Sequence, residues 1–251
     1  MRKAIVNGDI FLGNSFYNDK VLVLENDRIL DIVSTKELDT LYPNVEKIDA
    51  QNSYVVPGFI DLQINGCGGV LFNDDISVET IETMSKTNLK YGCTSFTPTL
   101  ITTTDENMLK ALELMENIDK NKYGVLGLHI EGPYLSVEKK GIHNEKFIRK
   151  ADSQMIDRII KSGKDNVKIL TLAPERNDKT VINKLSKAGI NVALGHTNGT
   201  YEEIKEKEHY GIRLATHLYN GMSSFTHRSP GAVGALSLIH ISEPTRRVVI
   251  S

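Results

Sequence analysis

The sequence predicts an α/β protein in which a small β domain precedes an incomplete (β/α)8, TIM-type barrel of about six βα units. Three observations predict it. Up to about residue 54 the chain offers short runs rich in Val, Ile and Leu, the composition of strands. Beyond Pro57-Gly58, apolar strand runs alternate with capped helical patterns, which means a parallel sheet with helices outside it. The chain has 251 residues, and six βα units are countable before it stops. A closed barrel needs eight strands and usually about 250 residues of its own.

In the β domain, residues 1–54, the strand runs are 3–6, 21–25 and 28–33. Asn26-Asp27 is the turn of a hairpin between the last two. The barrel part, residues 55–236, gives strands at 55–63, 94–100, 125–131, 167–173, 191–196 and 213–218. Asp105 caps a helix burying Met108, Leu109, Leu112 and Met115. Asp152 caps one burying Met155, Ile156, Ile159 and Ile160, stopped by Gly163. Val181, Ile182, Leu185 and Ala188 form the next stripe, ended by Gly189. Thr200 with Glu203 reads as a capping box, and Gly211 closes that helix.

Composition narrows the function. The chain is 40% hydrophobic and 25% charged with a formal net charge of −2, that of an ordinary globular protein. It lacks a basic stripe with interleaved aromatics, which argues against nucleic acid as a partner. No apolar run approaches the ~18–20 residues needed to span a bilayer, and residues 1–13 have no signal-like apolar stretch. Cys67 and Cys93 are not a CxxC pair and read as reduced thiols, so the cytoplasm is the expected compartment.

Catalytic groups of a (β/α)8 barrel sit at the C-terminal ends of its strands. There the sequence places Glu131, His196 and His217, one carboxylate and two imidazoles from three separate strands. Two His and one Glu suit a catalytic divalent ion with one position left open. His129 reads as a packed or supporting residue, His209 as a surface residue on a helix whose Glu202, Glu203, Glu206 and Glu208 face solvent, and Cys67 as a small residue in a tight turn.

The motifs that carry these residues are Pro-Gly-Phe-Ile-Asp-Leu-Gln-Ile-Asn-Gly-Cys-Gly-Gly (57–69), His-Ile-Glu-Gly-Pro-Tyr-Leu (129–135), Lys-Lys-Gly-Ile-His-Asn (139–144), Thr-Leu-Ala-Pro-Glu (171–175), Gly-His-Thr-Asn (195–198) and Thr-His-Leu-Tyr-Asn-Gly-Met (216–222). In order and spacing, from about residue 3 to about 236, they resemble the N-acetylglucosamine-6-phosphate deacetylases of the amidohydrolase superfamily. The resemblance implies a β-sandwich domain beside a metal-bearing barrel, in a homodimer when full length. It implies removal of acetate from N-acetylglucosamine 6-phosphate, leaving glucosamine 6-phosphate. By position, Glu131, His196 and His217 match the metal ligands and His143 the group that polarises the acetyl carbonyl. Ile142, His143, Asn220 and Gly221 match substrate contacts, and Arg228 a phosphate-binding arginine; on the residues alone Arg228 reads as a surface side chain.

Two departures qualify the resemblance. Where many superfamily members carry His-x-His for a second metal, this chain has Gln63 and Asn65, which implies one ion, zinc by ligand type. Residues 237–251 cease to resemble the family and are expected to be foreign or disordered; His240 there is not taken for a substrate histidine. The last two strands and the general acid–base aspartate are expected beyond that point, so this chain is expected to be an inactive fragment. Two other readings stand beside this one. Another amidohydrolase acting on a different amide would ordinarily keep the strand-1 His pair, and a non-catalytic metal-binding remnant would lack the aspartate.

Overall fold

The computed structural model describes residues 1–242 and 248–250, with side chains described as far as residue 237. The chain divides into two compact units, Met1–Gly58 and Phe59–Ser251. The first holds β1 (Arg2–Val6), β2 (Asp9–Phe11), β3 (Phe16–Tyr17), β4 (Lys20–Glu25), β5 (Arg28–Ser34), α1 (Leu38–Leu41), β6 (Glu46–Asp49) and β7 (Tyr54–Val55). They form a four-stranded sheet ordered β5-β4-β1-β6 and a three-stranded sheet ordered β3-β2-β7. The expected hairpin is present: Glu25 pairs with Arg28 across Asn26-Asp27, with Asn26 at φ 57°, which asparagine tolerates better than most residues. Ala4, Val21, Val23, Val33 and Leu38 form the core of the larger sheet.

The second unit runs β8 (Phe59–Ile64), α2 (Val78–Lys90), β9 (Cys93–Ile101), α3 (Asp105–Asn117), α4 (Lys120–Tyr123), β10 (Leu128–Glu131), α5 (Ser153–Ser162), β11 (Val167–Leu172), α6 (Lys179–Lys187), β12 (Asn191–Leu194), α7 (Tyr201–Glu208), β13 (Ile212–Thr216), α8 (Gly231–Ser242) and β14 (Val248–Ile250). Strands β8 to β14 pair in chain order, all parallel, as in an incomplete TIM-type barrel. Six are the predicted strands; the three-residue β14 stands at the edge, its Val248–Ile250 beside Leu214–Thr216. Of the stretch 237–251 set apart on sequence, residues 243–247 and 251 and the side chain of His240 lie outside the described residues. Among the described residues no helix is long and apolar enough to cross a membrane.

Several boundaries differ from expectation, each for a local reason. The strand expected at 55–63 is two strands in different sheets, because Pro57 has no N–H to offer a ladder and interrupts the run. Thr104, not Asp105, is the N-cap of α3, its hydroxyl accepting from the Asn107 N–H; Asp105 is the first helical residue, where its charge suits the helix dipole. Helix α2, which sequence patterning missed, starts at Ser77, whose hydroxyl accepts from the Thr80 N–H. The Asp152 cap and the Thr200–Glu203 capping box form as expected.

Alternation along the strands decides what faces the barrel interior. Outward, Phe96, Leu100, Leu128, Ile130, Leu170, Leu172, Val192 and Leu194 join the apolar faces of the helices in one core. Inward lie Ile169 and Ala193, packed with Leu62 and Leu214, and at matching positions Thr97, Thr99, His129, Glu131, Thr171 and Thr216, which are also buried. Glu131 stands two residues beyond His129 and shares its face.

Phe96, fully buried in the outward core, is the side chain on which this packing is most easily measured. Phe96→Ala is expected to lower unfolding stability by about 3–5 kcal/mol, read from the urea midpoint. A loss under about 1 kcal/mol would show that the layer is not packed as described.

Candidate metal centre

Glu131 ends β10 and is 1% exposed. An ionised carboxylate at that depth needs partners, and four polar side chains face it. His217 Nε2 is 2.9 Å and His196 Nε2 3.1 Å from its Oε1. The Gln63 amide donates to its Oε2 at 3.0 Å, and His143 Nε2 stands 4.0 Å from the same oxygen. Burial alone pushes the Glu131 carboxyl up, but the bonds to His196 and His217 hold it well below the ordinary carboxylate range.

The two histidines that follow β12 and β13 have left-handed backbones, φ 48° for His196 and 56° for His217. Such a conformation costs a non-glycine residue about 1–3 kcal/mol and persists where surroundings hold it. For His196 the holding groups are visible. Its carbonyl accepts from the Ser136 N–H at 2.9 Å, and its Nδ1 faces the Lys139 carbonyl at 2.8 Å. A Cβ at Gly141 or Gly221 would sit 3.6 and 3.5 Å from its ring, so both glycines lie against the Cε1–Nδ1 edge of the imidazole.

Hydrogen-bond partners fix the ring tautomers. A carbonyl can only accept, so His196 carries a proton on Nδ1, and Nε2 is the nitrogen turned to the Glu131 carboxylate. His217 Nε2 lies between the Gln63 amide N–H at 3.3 Å, which can only donate, and Glu131 Oε1 at 2.9 Å, which can only accept. His143 is the reverse of His196. Its Nδ1 faces the Thr102 backbone N–H at 3.4 Å and the Thr102 hydroxyl at 2.7 Å, which puts the proton of the neutral ring on Nε2.

The ring environments of His143 and His196 differ in direction. Burial, then the neighbouring His196, pushes His143 down to about 4. For His196 burial works downward, but the Glu131 and Lys139 bonds outweigh it and the pKa is raised.

Donor atoms of Glu131, His143 and His196 all lie within 4.8 Å of one another, and His217 joins them through Glu131. Ligands held tetrahedrally at ~2.0–2.2 Å stand about 3.3–3.6 Å apart, and the 3.1 and 2.9 Å between Glu131 and the two histidines are a few tenths of an ångström shorter. Gln63 Oε1 is buried beside them with no protein partner. The donor set fits a divalent ion.

Other predicted residues fall around this cluster. Ile142 is 82% exposed and Asn220 is exposed, and Gly221 lies against His196. Arg228 is exposed in the loop between β13 and α8, outside the hydrogen bonds around Glu131. His129 is fully buried; its Nδ1–H donates to the Leu62 carbonyl at 3.1 Å and its Nε2 accepts from Thr171 Oγ1 at 2.7 Å, which meets Thr216 Oγ1 at 2.9 Å. That chain ties four strands and is a supporting role, and burial pushes His129 down to about 4. His209 is exposed as expected, but Glu208, expected to face solvent, is 8% exposed, because the Ile204 face of α7 carries it inward toward Lys205 Nζ at 2.7 Å. Sequence reasoning missed Thr102, although it lies just past the end of a strand, where site residues gather. It also missed Gln63 as a donor to Glu131 and the Lys139 carbonyl.

The chain matches the Amidohydrolase family over residues 54–247. The N-acetylglucosamine-6-phosphate deacetylase of Haemophilus influenzae is 44% identical over 238 residues, 94% of this chain and 61% of that protein. The N-acetylgalactosamine-6-phosphate deacetylase of Shewanella sp. is 39% identical over 183 residues, 72% of this chain and 46% of that one. The crystal structure of N-acetylglucosamine-6-phosphate deacetylase from Pasteurella multocida superposes with a TM-score of 0.90 at 38% identity, covering all of this chain and 71% of that one. The chain thus spans roughly half to two thirds of the length of these curated relatives.

Two buried neutral histidines set a pH dependence. On unfolding, His129 and His143 return from about 4 to about 6.5, so the unfolded chain binds more protons and stability falls as pH drops through that window. His196, with a raised pKa, contributes the opposite sign, stability present at low pH and lost as pH rises. The denaturation midpoint of the metal-free chain is therefore expected to fall between pH 6.5 and 4, and less steeply in His129→Gln; identical slopes would mean His129 is not the buried neutral group described.

Proposed function

We propose, on the premise that the chain belongs to the amidohydrolase family, that Glu131, His196 and His217 hold one divalent ion and that the site serves hydrolysis of the acetamide of N-acetylglucosamine 6-phosphate. The observation that carries this reading is the convergence of His196 Nε2 and His217 Nε2 on Glu131 Oε1, with His143 Nε2 4.0 Å from the other carboxylate oxygen. Zinc is the ion favoured by two imidazoles and a carboxylate. A divalent ion held there supplies a Lewis acid and acidifies water at neutral pH.

The chain's own groups do the rest. His143, neutral with its proton on Nε2, donates to the acetyl carbonyl oxygen and stabilises the negative charge that grows there. Thr102 keeps that ring turned. The Asn220 amide and the Gly221 N–H contact the sugar phosphate, Ile142 offers apolar surface to the sugar, and the Arg228 guanidinium binds the phosphate through two parallel hydrogen bonds. The general acid–base aspartate is assigned to no residue between 1 and 251, so metal and substrate binding are the readouts for this chain. The full-length enzyme is proposed as a cytoplasmic homodimer, a setting that suits the free thiols Cys67 and Cys93.

A second reading changes only the sugar. The Shewanella relative is named for N-acetylgalactosamine 6-phosphate, so the two C4 epimers are to be compared.

About one zinc per chain is expected by metal analysis, and His196→Ala should lose it. Zinc retained at the parent level in that variant would sink the ligand assignment. Arg228→Ala should weaken binding of N-acetylglucosamine 6-phosphate by more than tenfold and leave N-acetylglucosamine nearly unchanged, measured by calorimetry, since a charged hydrogen-bond pair is worth about 1.5–3 kcal/mol. Equal loss on both ligands would remove Arg228 from the phosphate site.

A further inference from the structure

The Thr-Leu-Ala-Pro-Glu motif at 171–175 has no role in the chemistry above, yet its last residue reaches the metal centre indirectly. Glu175 lies in a short 3-10 turn, Pro174–Arg176, after β11. Its Oε2 accepts from Thr197 Oγ1 at 2.5 Å and its Oε1 from the Asn198 N–H at 2.7 Å. Both donors belong to the loop that begins at His196. Thr197 is fully buried, and its hydroxyl also accepts from the Gly199 N–H at 3.1 Å. A Cβ on Gly199 would lie 3.1 Å from Glu175 Oε2, so the loop closes tightly on the carboxylate.

From Thr197 the connection continues to the neighbouring strand end. The Thr197 N–H donates to the Gly221 carbonyl at 3.1 Å, and the Ser223 N–H donates to the Thr197 carbonyl at 3.0 Å. One carboxylate from the turn after β11 therefore anchors the loop after β12, which in turn grips the segment after β13. His196 sits at the start of this arrangement with φ 48°, a backbone state that does not hold itself.

We propose that Glu175 is a positioning residue for the metal centre, fixing loop 196–199 so that His196 Nε2 points at Glu131. The proposal rests on His196 being a metal ligand. It predicts an effect on ion affinity, because a ligand whose ring direction is free must be ordered again each time the ion binds.

The test is zinc affinity of the chain, measured by competition with a chromophoric chelator, in the parent, Glu175→Ala, Glu175→Gln and Thr197→Val. Glu175→Ala is expected to bind zinc about 10–100-fold more weakly, the range found when groups supporting metal ligands are removed. Glu175→Gln keeps an oxygen for the Asn198 N–H and can donate to the Thr197 hydroxyl, so it should recover most of the affinity. Thr197→Val, which removes one of the two bonds and keeps the side chain's shape, should fall between them and covers the case in which the alanine variant fails to fold. Parent-like affinity in Glu175→Ala or Thr197→Val overturns the proposal, and so does a glutamine variant as weak as the alanine one. A parent that binds no zinc overturns the metal reading itself, a different result from a parent that binds and variants that match it.

Discussion

The site depends on one buried charge. Glu131 is nearly sealed from water, and an ionised carboxylate there must be met by donors or a cation on every side. Its low pKa shows that the partners more than offset the burial. Those partners come from strands far apart in sequence: Gln63 from β8, His196 after β12 and His217 after β13. The need to satisfy one carboxylate therefore couples the ends of the first, third, fifth and sixth strands of the sheet.

Strand alternation brings the carboxylate inward, and backbone strain aims the imidazoles. On β10, Leu128 and Ile130 join the helix-facing core, so His129 and Glu131 must share the inner face. His129 holds the layer beneath through Leu62 and Thr171, and Thr171 passes the connection to Thr216, the residue before His217. Where the strands end, His196 and His217 both leave the β region for the left-handed one. A strand continued regularly would send successive side chains to opposite faces; the left-handed turn is what redirects each ring toward Glu131.

Much of this was legible in the sequence. The six strands of the barrel part, the caps at Asp152 and Thr200, and the strand-end placement of Glu131, His196 and His217 follow from periodicity and local hydrogen-bonding rules. Their convergence follows from the general rule for parallel barrels. What periodicity does not encode is which backbone group each ring will meet. The Lys139 carbonyl and the Thr102 N–H belong to loops whose path is set by packing, so which partner each Nδ1 meets appears only with the fold in place. Helix α2 escaped because its stripe of Ile81, Met84 and Asn88 is interrupted by polar side chains that are nonetheless buried. Glu208 was misplaced because a glutamate reads as solvent-facing until its own helix turns it inward.

The residue at 63 shows how the type of polar atom supplied decides what a side chain does in the site. A histidine there would bring a lone pair and compete for a second ion. Glutamine brings an N–H, which goes to Glu131 Oε2, and a second contact to His217 Nε2. Oε2 is thereby occupied by a neutral donor, and Oε1 faces the Nε2 atoms of His196 and His217. The amide also orients Glu131 without adding a charge that a bound cation would have to displace.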